Sequence, residues 1–479
     1  MSLHSVLLLR VSSAVDKNAD HPQFFDPPYP LKYLQAGLQN RSDATVHLLD
    51  CWIHPMGTPQ LLDWISDIRP DTVVISASSF DIDVAAEVTG ALKGWASPPL
   101  VIGVGQGHYL SDDAPLGTEH LHVAYNAGCD AVILGEPEEE FFRLFDRILR
   151  DGVEDPGWRE HYRRAFTEEK RFVVNDPDGL PFPSYTPEEL KDYKSIFPVR
   201  VNKQVVWGYL IATRGCPHGC VFCSEVMRVS TGKKIRSRSA ANVADEMEHL
   251  ARLGVNVCSF QDDSFSANRR FVRELCEELI RRGSTMPWMA RVRVDEVDHE
   301  VIAFMQRAGC ILLGLGVESG SVRIIERMHK TNKPELWMER CRSAFGAARR
   351  LGVGTHAYYV IGNPTETREE IEQTIRFALE LNSDSIQVHY YTPYPGSAAW
   401  AQMKDHAPDY DFTKMFHYST PIFTMADVSV EELVRLRSEF YKRYLFRPLF
   451  AVSHLYTYAG FYWRNPDVFR SLAGVRKII

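Results

Sequence analysis

The chain has 479 residues, of which 45% are hydrophobic and 24% are charged. This length exceeds that of one typical domain, so we expect two or three domains, each large enough to bury a full core. The net charge of −8 and the pI near 6.1 argue against a polycationic surface and so exclude general nucleic-acid binding as the expected function.

The cysteine pattern and the apolar segments indicate the cellular compartment of the protein. Nine cysteines is an odd number, and outside one trio none forms a close pair, which favours a reducing cytoplasm over a disulfide framework. The apolar run at residues 6–9 ends at Arg10 and is too short for the core of a signal peptide. No segment reaches the roughly 18 to 20 apolar residues that a membrane span needs, so we expect no transmembrane segment.

Residues 1–150 alternate short apolar segments with amphipathic segments. This alternation predicts an α/β domain with a doubly wound parallel sheet, on which ligands bind beyond the carboxyl ends of the strands. The predicted strands are residues 6–9, 46–49, 72–76, 100–104 and 131–134, and the predicted helices are residues 31–40, 61–68, 84–92 and 138–149.

Small residues follow three of these strands. They are the segments from Ser76 to Ser79 and from Gly103 to His108, and the glycine at position 135. Glycines let a backbone approach a ligand closely, so these ends are candidate binding loops, although a tight turn explains any one of them alone. A dinucleotide fingerprint would place Gly-x-Gly-x-x-Gly after the first strand. Here Gly-x-Gly-x-Gly follows the fourth, so dinucleotide binding is disfavoured.

Residues 151–205 are charged and rich in proline, and we interpret them as a linker. Residues 206–400 then form a second series of six strand–helix units, which predicts a partial (β/α)6 barrel with its site at the carboxyl ends of the strands. The predicted strands are residues 207–212, 255–260, 288–292, 311–316, 355–361 and 385–391, and the helices between them are residues 243–253, 269–282, 300–307, 335–351 and 369–381.

A cysteine trio directly follows the first strand of this predicted barrel. Cys216, Cys220 and Cys223 are spaced Cys-x3-Cys-x2-Cys. Three thiolates on one short loop are typical ligands of an iron–sulfur cluster, and this set leaves a fourth iron position open. The alternatives are a zinc knuckle and a disulfide with a spare thiol. Zinc would require a fourth ligand close by, and the nearest candidate, His218, lies inside the loop.

Charged and polar side chains accompany the next three strands. They are Asp262 and Asp263 after the second strand, Arg291 and Arg293 on the third, and Glu318 and Ser319 after the fourth. Buried acids and arginines are costly unless they are paired or liganded, so their recurrence at successive strands predicts a binding site. A helix cap or a surface ion pair would explain such a residue singly.

Residues 401–479 are predicted to form a small, mainly helical region. It includes an amphipathic helix at residues 430–445 and an uncharged, aromatic-rich stretch at residues 448–463. We expect this stretch to pack on the barrel, because it is too short to span a bilayer. The alternative is that it lines a pocket for a lipophilic substrate or contacts a membrane surface.

The Cys-x3-Cys-x-Phe-Cys motif, with Phe222 in the aromatic position, resembles the signature of the radical S-adenosylmethionine superfamily. The resemblance implies a [4Fe-4S] cluster whose open iron is chelated by S-adenosylmethionine, a 5'-deoxyadenosyl radical formed on one-electron reduction, and an electron donor of the flavodoxin or ferredoxin type. The implied S-adenosylmethionine contacts are Asp262 and Asp263 for the amino group, Glu318 and Ser319 for the ribose and methionine moieties, and Arg291 or Arg293 for the carboxylate. Phe222 of the motif is a further implied contact.

The first 150 residues resemble the cobalamin-binding, Rossmann-like domain of the cobalamin-dependent members of that superfamily. The implied cobalamin contacts are Ser76, Ser79, Gly103, Gly105, Gly107, His108, Gly135 and Glu136. The Asp-x-His-x-x-Gly motif of the methionine-synthase type of domain is missing, since the segment from Asp50 to Gly57 approaches it with a spacing two residues too long. The lower axial ligand of cobalt is therefore unassigned, and His54 is interpreted as a surface residue.

The two resemblances together imply a cobalamin-dependent radical S-adenosylmethionine enzyme. The expected reaction is transfer of a methyl group from methylcobalamin to an unactivated carbon of a small molecule, after hydrogen abstraction by the radical. No histidine-centred triad is obvious, which fits a reaction without a general base. Two alternatives stay open. One is a non-methylating reaction, such as oxidative cyclisation on a tetrapyrrole or a ring contraction, and the other is a cobalamin-binding sensor with a structural cluster.

Overall fold

Two parallel sheets form the framework of the chain. The structure, a computed structural model, describes residues 4–12, 26–41, 43–77, 81–105, 128–168, 170–195, 197–223, 232–393, 397–403, 421 and 423–466. The predicted cobalamin contacts Ser79, Gly107 and His108 lie outside the described residues.

The first sheet has six strands in the order β2-β1-β3-β4-β5-β6, and every neighbouring pair is parallel. The strands are β1 (His4–Arg10), β2 (Ala44–Asp50), β3 (Thr72–Ser76), β4 (Leu100–Gly105), β5 (Ala131–Gly135) and β6 (Arg171–Phe172). The helices are α1 (Tyr29–Gln39), α2 (Thr58–Ile68), α3 (Ile82–Lys93), α4 (Glu138–Asp151) and α5 (Pro156–Thr167). The strand order reverses between β1 and β3, and ligands of such sheets bind at the carboxyl ends beside that reversal.

Alternate residues of β1 belong to two separate cores. Leu7 and Leu9 pack in the core that α2 and α3 cover, whereas Val6 and Leu8 pack in the core that α1 and α4 cover. Successive side chains of a strand point to opposite faces, so a strand that is apolar at every position must be covered on both sides. The doubly wound sheet predicted from the sequence is thereby confirmed.

The first sheet takes its last strand from the segment that was expected to be a linker. Helix α5 buries Trp158 and Tyr162 in one core of the sheet, and β6 pairs with β5 through Leu134 opposite Arg171. Charge and proline obscure these elements in the sequence, because a two-residue strand has no recognisable period. Residues 173–206 then lead to the second sheet.

The second sheet also has six parallel strands, and their order β7-β10-β11-β12-β13-β14 follows the chain. The strands are β7 (Trp207–Leu210), β10 (Val257–Phe260), β11 (Trp288–Arg293), β12 (Cys310–Glu318), β13 (Gly354–Ile361) and β14 (Ser385–Tyr390). The intervening helices are α6 (Ala240–Arg252), α7 (Arg269–Arg281), α8 (His299–Arg307), α9 (Val322–Arg327), α10 (Trp337–Arg350) and α11 (Arg368–Leu381). A parallel sheet without reversal curls into a half-barrel, as predicted. A short antiparallel pair, β8 (Thr213–Arg214) with β9 (Arg236–Ser237), flanks the cysteine segment.

The C-terminal region contributes three helices, α12 (Ala398–Met403), α13 (Val430–Leu445) and α14 (Pro448–Arg464). The N–H of Ala399 on α12 donates to the carbonyl of Val221 at 3.2 Å, so α12 lies beside the cysteine segment. Phe440 of α13 packs on Tyr359 of β13, with ring centroids 5.2 Å apart. On α14, Tyr458 is buried, while Tyr456 and Trp463 are 90% and 84% exposed. Within the described part of the chain, no helix is both long and apolar enough to cross a membrane.

Candidate metal centre at the mouth of the half-barrel

The three predicted cluster ligands lie on one loop that leaves β8, which we call the cysteine loop (residues 215–223). Cys216 and Cys220 are partly buried, and Cys223 is exposed. Gly215 adopts φ of +97°, and a Cβ at this position would lie 2.6 Å from the carbonyl oxygen of Lys234. Only glycine can therefore start the loop in this conformation.

Backbone hydrogen bonds hold the cysteine loop against the rest of the half-barrel. The N–H of Cys216 donates to the carbonyl of Gly232 at 3.2 Å, and the N–H of Val221 donates to the carbonyl of Met328 at 3.0 Å. Met328 follows α9, so the loop is fixed both to its own base and to the connection after β12. The positions of the thiols consequently depend on the strand ends of the half-barrel.

The chemistry of the donors in the cysteine loop fits an iron–sulfur cluster. In the described ranges no three His, Cys, Asp or Glu side chains form a preformed metal site, and the nine cysteines all carry free thiols. Partial burial raises the pKa of the Cys216 thiol, and the neighbouring Asp263 and Cys220 raise it further. A cluster would therefore displace protons as it binds, and it would bring three soft ligands to one centre while leaving one iron open.

Arg293 of β11 contacts the cysteine loop directly. Its Nη1 lies 3.6 Å from the Sγ of Cys220. Its Nε and Nη2 donate to the two carboxylate oxygens of Asp295 at 3.1 and 3.0 Å, and Nη2 also donates to the carbonyl of Lys330 at 2.6 Å. A bidentate carboxylate fixes the plane of a guanidinium, so Asp295 orients Arg293 with Nη1 toward the sulfur.

A buried ion pair lies beside this contact. Lys330 Nζ donates to Glu318 Oε1 at 2.7 Å, and the two side chains are only 8% and 7% exposed. The ammonium also lies 5.7 Å from the ring centroids of both Phe222 and Trp337. Glu318 has φ of +67° where the pairing of β12 with β13 is irregular. The structure thus brings two predicted S-adenosylmethionine contacts, Glu318 and Phe222, to the same lysine.

The two aspartates after β10 bind the backbone that leads into the cysteine loop. The Asp262 carboxylate accepts hydrogen bonds from the N–H groups of Ala212, at 3.3 Å, and of Thr213. Asp263 Oδ2 accepts from the N–H of Gly215 at 3.3 Å. Burial raises the pKa of Asp262 to about 7. Both acids therefore position the loop, and their contact with S-adenosylmethionine stays a prediction.

Ser319 and Arg291 lie farther from the thiols. The Ser319 hydroxyl is buried, lies 3.1 Å from the hydroxyl of Thr374, and accepts the N–H of Ser321 at 3.1 Å. Arg291 lies on the same face of β11 as Arg293, two residues before it, and is half-buried. The two arginines thus have different surroundings, one at the cysteine loop and one inside the half-barrel.

The described cobalamin candidates lie at the carboxyl ends of neighbouring strands of the first sheet. Ser76 ends β3, Gly103 and Gly105 lie in the second half of β4, and Gly135 ends β5 with φ of +92°. Small residues at adjacent strand ends leave room for a ligand to approach the sheet edge. No contact with a ligand follows from the placement itself, so these assignments stay predictions.

Two buried acids of the first domain pair with two arginines of the second, and we call these four residues the interdomain ion cluster. The carboxylate of Glu136 accepts from Arg236 at 2.6 and 2.9 Å, and Glu138 accepts from Nη2 of Arg214 at 2.8 Å. Arg214 directly precedes the cysteine loop. The strand end that was predicted to bind cobalamin is therefore fixed to the entry of that loop.

A cavity of about 320 Å³ opens on one side of the cysteine loop. It is lined by Pro217, His218, Gly219, Arg293, Asp295, His329, Lys330, Thr331 and Asn332. The ring of His218 lies 2.5 Å from a carboxylate oxygen of Glu296. The His218 ring is thus bound to the Glu296 carboxylate outside the loop. This contact disfavours His218 as the fourth ligand that the zinc alternative needs.

Three residues of this site were not selected from the sequence. Lys330 and Asp295 lie in connections without a motif, and Arg214 precedes the cysteine motif without being part of it. One signal was present, because Asp295 stands two residues after Arg293, where a carboxylate can meet the guanidinium. The burial of Lys330 had no signal, since it depends on the fold of the segment after α9.

Comparisons with known proteins agree with this arrangement. Residues 210–378 match the Radical SAM superfamily. The chain is 27% identical over 444 residues to an uncharacterized methyltransferase of Pyrococcus horikoshii, with 91% of each chain covered. It is 25% identical over 438 residues to the anaerobic magnesium-protoporphyrin IX monomethyl ester cyclase of Cereibacter sphaeroides, with 87% of this chain and 67% of the cyclase covered.

A solved structure shares the arrangement of both sheets. It is the radical S-adenosylmethionine methyltransferase TsrM of Kitasatospora setae, with cobalamin and a [4Fe-4S] cluster bound. The TM-score is 0.60 at 17% identity, over 85% of this chain and 75% of that chain. At this identity the likeness shows that the two proteins share a fold.

Proposed function

We propose that this chain, a member of the radical S-adenosylmethionine superfamily with the fold of its cobalamin-dependent enzymes, is a methyltransferase that acts on an unactivated carbon of a small molecule. The observation that carries the proposal is the contact between Glu138 and Arg214, which joins the ligand-binding edge of the first sheet to the cysteine loop. Methyl transfer of this kind requires a radical source and a methyl donor beside one substrate. The contact supports the proposal because it joins the strand end expected to face cobalamin to the loop expected to hold the cluster.

The cofactors of the proposed reaction are a [4Fe-4S] cluster, S-adenosylmethionine and cobalamin. Cys216, Cys220 and Cys223 would hold the cluster, Phe222 and Glu318 would contact S-adenosylmethionine, and small residues at the ends of β3, β4 and β5 would face cobalamin. When bound, the cluster and S-adenosylmethionine supply a radical that removes hydrogen from carbon, and cobalamin supplies the methyl group.

Two of the predicted contacts fit positioning better than cofactor binding. The N–H of Glu136 donates to the carbonyl of Phe172 at 2.9 Å, and its carboxylate is paired with Arg236. The carboxylate of Asp262 is likewise engaged by backbone N–H groups. We propose that Glu136 fixes the two domains together and that Asp262 shapes the cysteine loop.

The proposed reaction needs no general base, and the two histidines inside the half-barrel are poor proton acceptors. They are His356 of β13 and His389 of β14, and burial lowers the pKa of each to about 3. Both rings are therefore neutral at physiological pH and carry no charge toward the substrate. The protein contributes position, orientation and exclusion of water instead.

An electron donor of the flavodoxin or ferredoxin type would complete the system. We propose that it approaches through the cavity beside His218, because that cavity reaches Arg293 and the cysteine loop from one side. A reducing cytoplasm, expected from the cysteine pattern, fits nine free thiols.

A non-methylating reaction is the second candidate, and the similarity to a cyclase that acts on magnesium-protoporphyrin IX monomethyl ester favours it. The test is anaerobic incubation of the reconstituted protein with methyl-deuterated S-adenosylmethionine, cobalamin, a reductant and a metabolite extract of the source cell. A product that gains one trideuterated methyl group supports methylation. Formation of 5'-deoxyadenosine with a product that carries no label supports the second candidate.

A further inference from the structure

Arg291 lies inside the half-barrel without an ion pair to any described residue. It is half-buried although it points inward from a central strand, so it lines open space. Tyr358 and the carboxylate of Asp26 act on it electrostatically, but Asp26 does not come close enough to form a salt bridge. A guanidinium carries five N–H donors in a planar fork, and apart from Tyr358 no described residue accepts a hydrogen bond from them.

Three tyrosine hydroxyls lie near Arg291, and all three are buried. Those of Tyr209 on β7 and of Tyr29 at the start of α1 have no hydrogen-bond partner among the described residues. That of Tyr358 on β13 contacts Arg291 itself. Arg291 acts electrostatically on all three. Buried polar groups are almost always paired, so two buried hydroxyls without acceptors beside an arginine with unused donors indicate a ligand that supplies the acceptors.

Gly314 allows Arg291 and Tyr358 to approach each other. A Cβ on Gly314, which faces Arg291 across the pairing of β11 with β12, would lie 3.1 Å from Cε2 of Tyr358 and 3.4 Å from Cγ of Arg291. The two side chains therefore lie across the bare backbone of β12. A larger residue at position 314 would separate them.

We propose that Arg291, Tyr29, Tyr209 and Tyr358 bind an oxyanion of the substrate, either a carboxylate or a phosphate-type group. This inference rests on the proposed function and adds the substrate class, a small organic acid or phosphorylated compound. All four side chains offer donors, and the guanidinium fork matches the paired oxygens of such anions. Asp26 of the first domain acts electrostatically on Arg291, Tyr29 and Tyr209, so it lies beside the same side chains.

The position of Arg291 separates this site from that of S-adenosylmethionine. Arg293 contacts Cys220 at the mouth of the half-barrel. Two residues of a strand span about 7 Å, so Arg291 lies about 7 Å farther from the mouth along β11. Tyr29 comes from the domain expected to bind cobalamin. A substrate held here by its acid group would extend toward the cysteine loop between the two sheets.

The test is a titration of the reconstituted protein, without reductant, with inorganic phosphate and separately with acetate at constant ionic strength. The thermal unfolding midpoint reports binding, because a ligand of the folded state raises it. We expect at least one anion to stabilise the wild type, with about tenfold or greater loss of apparent affinity in Arg291→Met. The double variant Tyr209→Phe/Tyr358→Phe keeps the charge and should lose affinity several-fold.

The control is Arg270→Met, which changes an exposed arginine on α7 that pairs with Glu274, and this variant should bind the anion as the wild type does. Equal binding by wild type and both site variants overturns the proposal, and so does the absence of any stabilisation. Weaker S-adenosylmethionine binding by Arg291→Met, measured by equilibrium dialysis, also overturns it, because the acceptor is then the methionine carboxylate. None of these readouts needs turnover, so they are independent of whether the chain methylates.

Discussion

Nη1 of Arg293 lies 3.6 Å from Sγ of Cys220, and Nε and Nη2 of the same guanidinium donate hydrogen bonds to the carboxylate of Asp295. The strand end of the half-barrel thus places a positively charged donor against a proposed cluster ligand. Hydrogen bonds to the sulfurs and nearby positive charge are among the factors that set the potential of iron–sulfur clusters. Since the reduced cluster carries more negative charge, this contact should make reduction easier.

Arg293→Met should lower the reduction potential of the reconstituted cluster. We expect the equilibrium constant for one-electron reduction to fall by roughly tenfold, which corresponds to about 59 mV. The measurement is a redox titration followed by electron paramagnetic resonance. Arg340→Met is the matched control, because Arg340 on α10 reaches the same Asp295 at 3.8 Å. Equal potentials in the wild type and Arg293→Met would show that the contact has no electronic role.

Lys330→Met should strongly destabilise the half-barrel. The substitution leaves the buried carboxylate of Glu318 without its partner, which costs about 3–5 kcal/mol in comparable cases. The double variant Glu318→Gln/Lys330→Met removes both charges and should recover a large part of the loss. Urea unfolding of the three proteins measures this. A double variant no more stable than Lys330→Met would mean that the lysine acts through packing on Phe222 and Trp337.

Much of the fold could be predicted because its signals are local. Short apolar segments separated by amphipathic helices give the six strands of the half-barrel in chain order, and β1 is apolar at consecutive positions because both its faces are covered. Strand β6 could not be predicted, because two residues are too few to show an alternation of apolar and polar side chains. The spacing of Cys216, Cys220 and Cys223 predicted one shared loop, and the structure has it.

The surroundings of the thiols could not be predicted, since they depend on contacts between distant segments. The sequence places Arg291 and Arg293 on one face of a strand, but only the packing of Asp295 and Lys330 shows which arginine reaches the sulfur. Glu136 illustrates the same limit. Its position after a strand end suggested a ligand, and its partner Arg236 lies 100 residues away in the other domain.

Arg236→Met should loosen the junction between the domains. Glu136 is fully buried, and among the described residues it would keep the more distant Arg214, at 3.7 Å, as its charged partner. We expect a loss of roughly 3 kcal/mol and faster trypsin cleavage within residues 173–206. The control Arg342→Met breaks a half-exposed pair with Glu380 and should cost less than about 1 kcal/mol. Similar effects of both variants would contradict a special role for the interdomain ion cluster.

Glu370 should make stability depend on acid pH. Burial opposes its ionisation, yet hydrogen bonds from Arg323, the Thr367 backbone and Ser321 lower its pKa from 4.5 to about 2. A carboxyl whose folded pKa is lowered stabilises the protein above its unfolded pKa, and this stabilisation is lost as the pH falls from 4.5 toward 2.

The comparison is between wild type and Glu370→Gln, followed by thermal unfolding from pH 7 to pH 3. We expect a difference of about 1–2 kcal/mol at pH 7, reduced for solvent screening, that shrinks as the pH falls. Glu369→Gln, an exposed neighbour that pairs with Arg376, is the control. A difference that stays constant over this range would show that the effect is not electrostatic.

The most direct test of the account is formation of 5'-deoxyadenosine by the anaerobically reconstituted chain given S-adenosylmethionine and a strong reductant, quantified by mass spectrometry. The wild type should form it, and Cys220→Ala, which removes one of the three loop thiols, should form none. An intact, cluster-bearing wild type that forms no 5'-deoxyadenosine would contradict the assignment and would favour a cobalamin-binding sensor with a structural cluster.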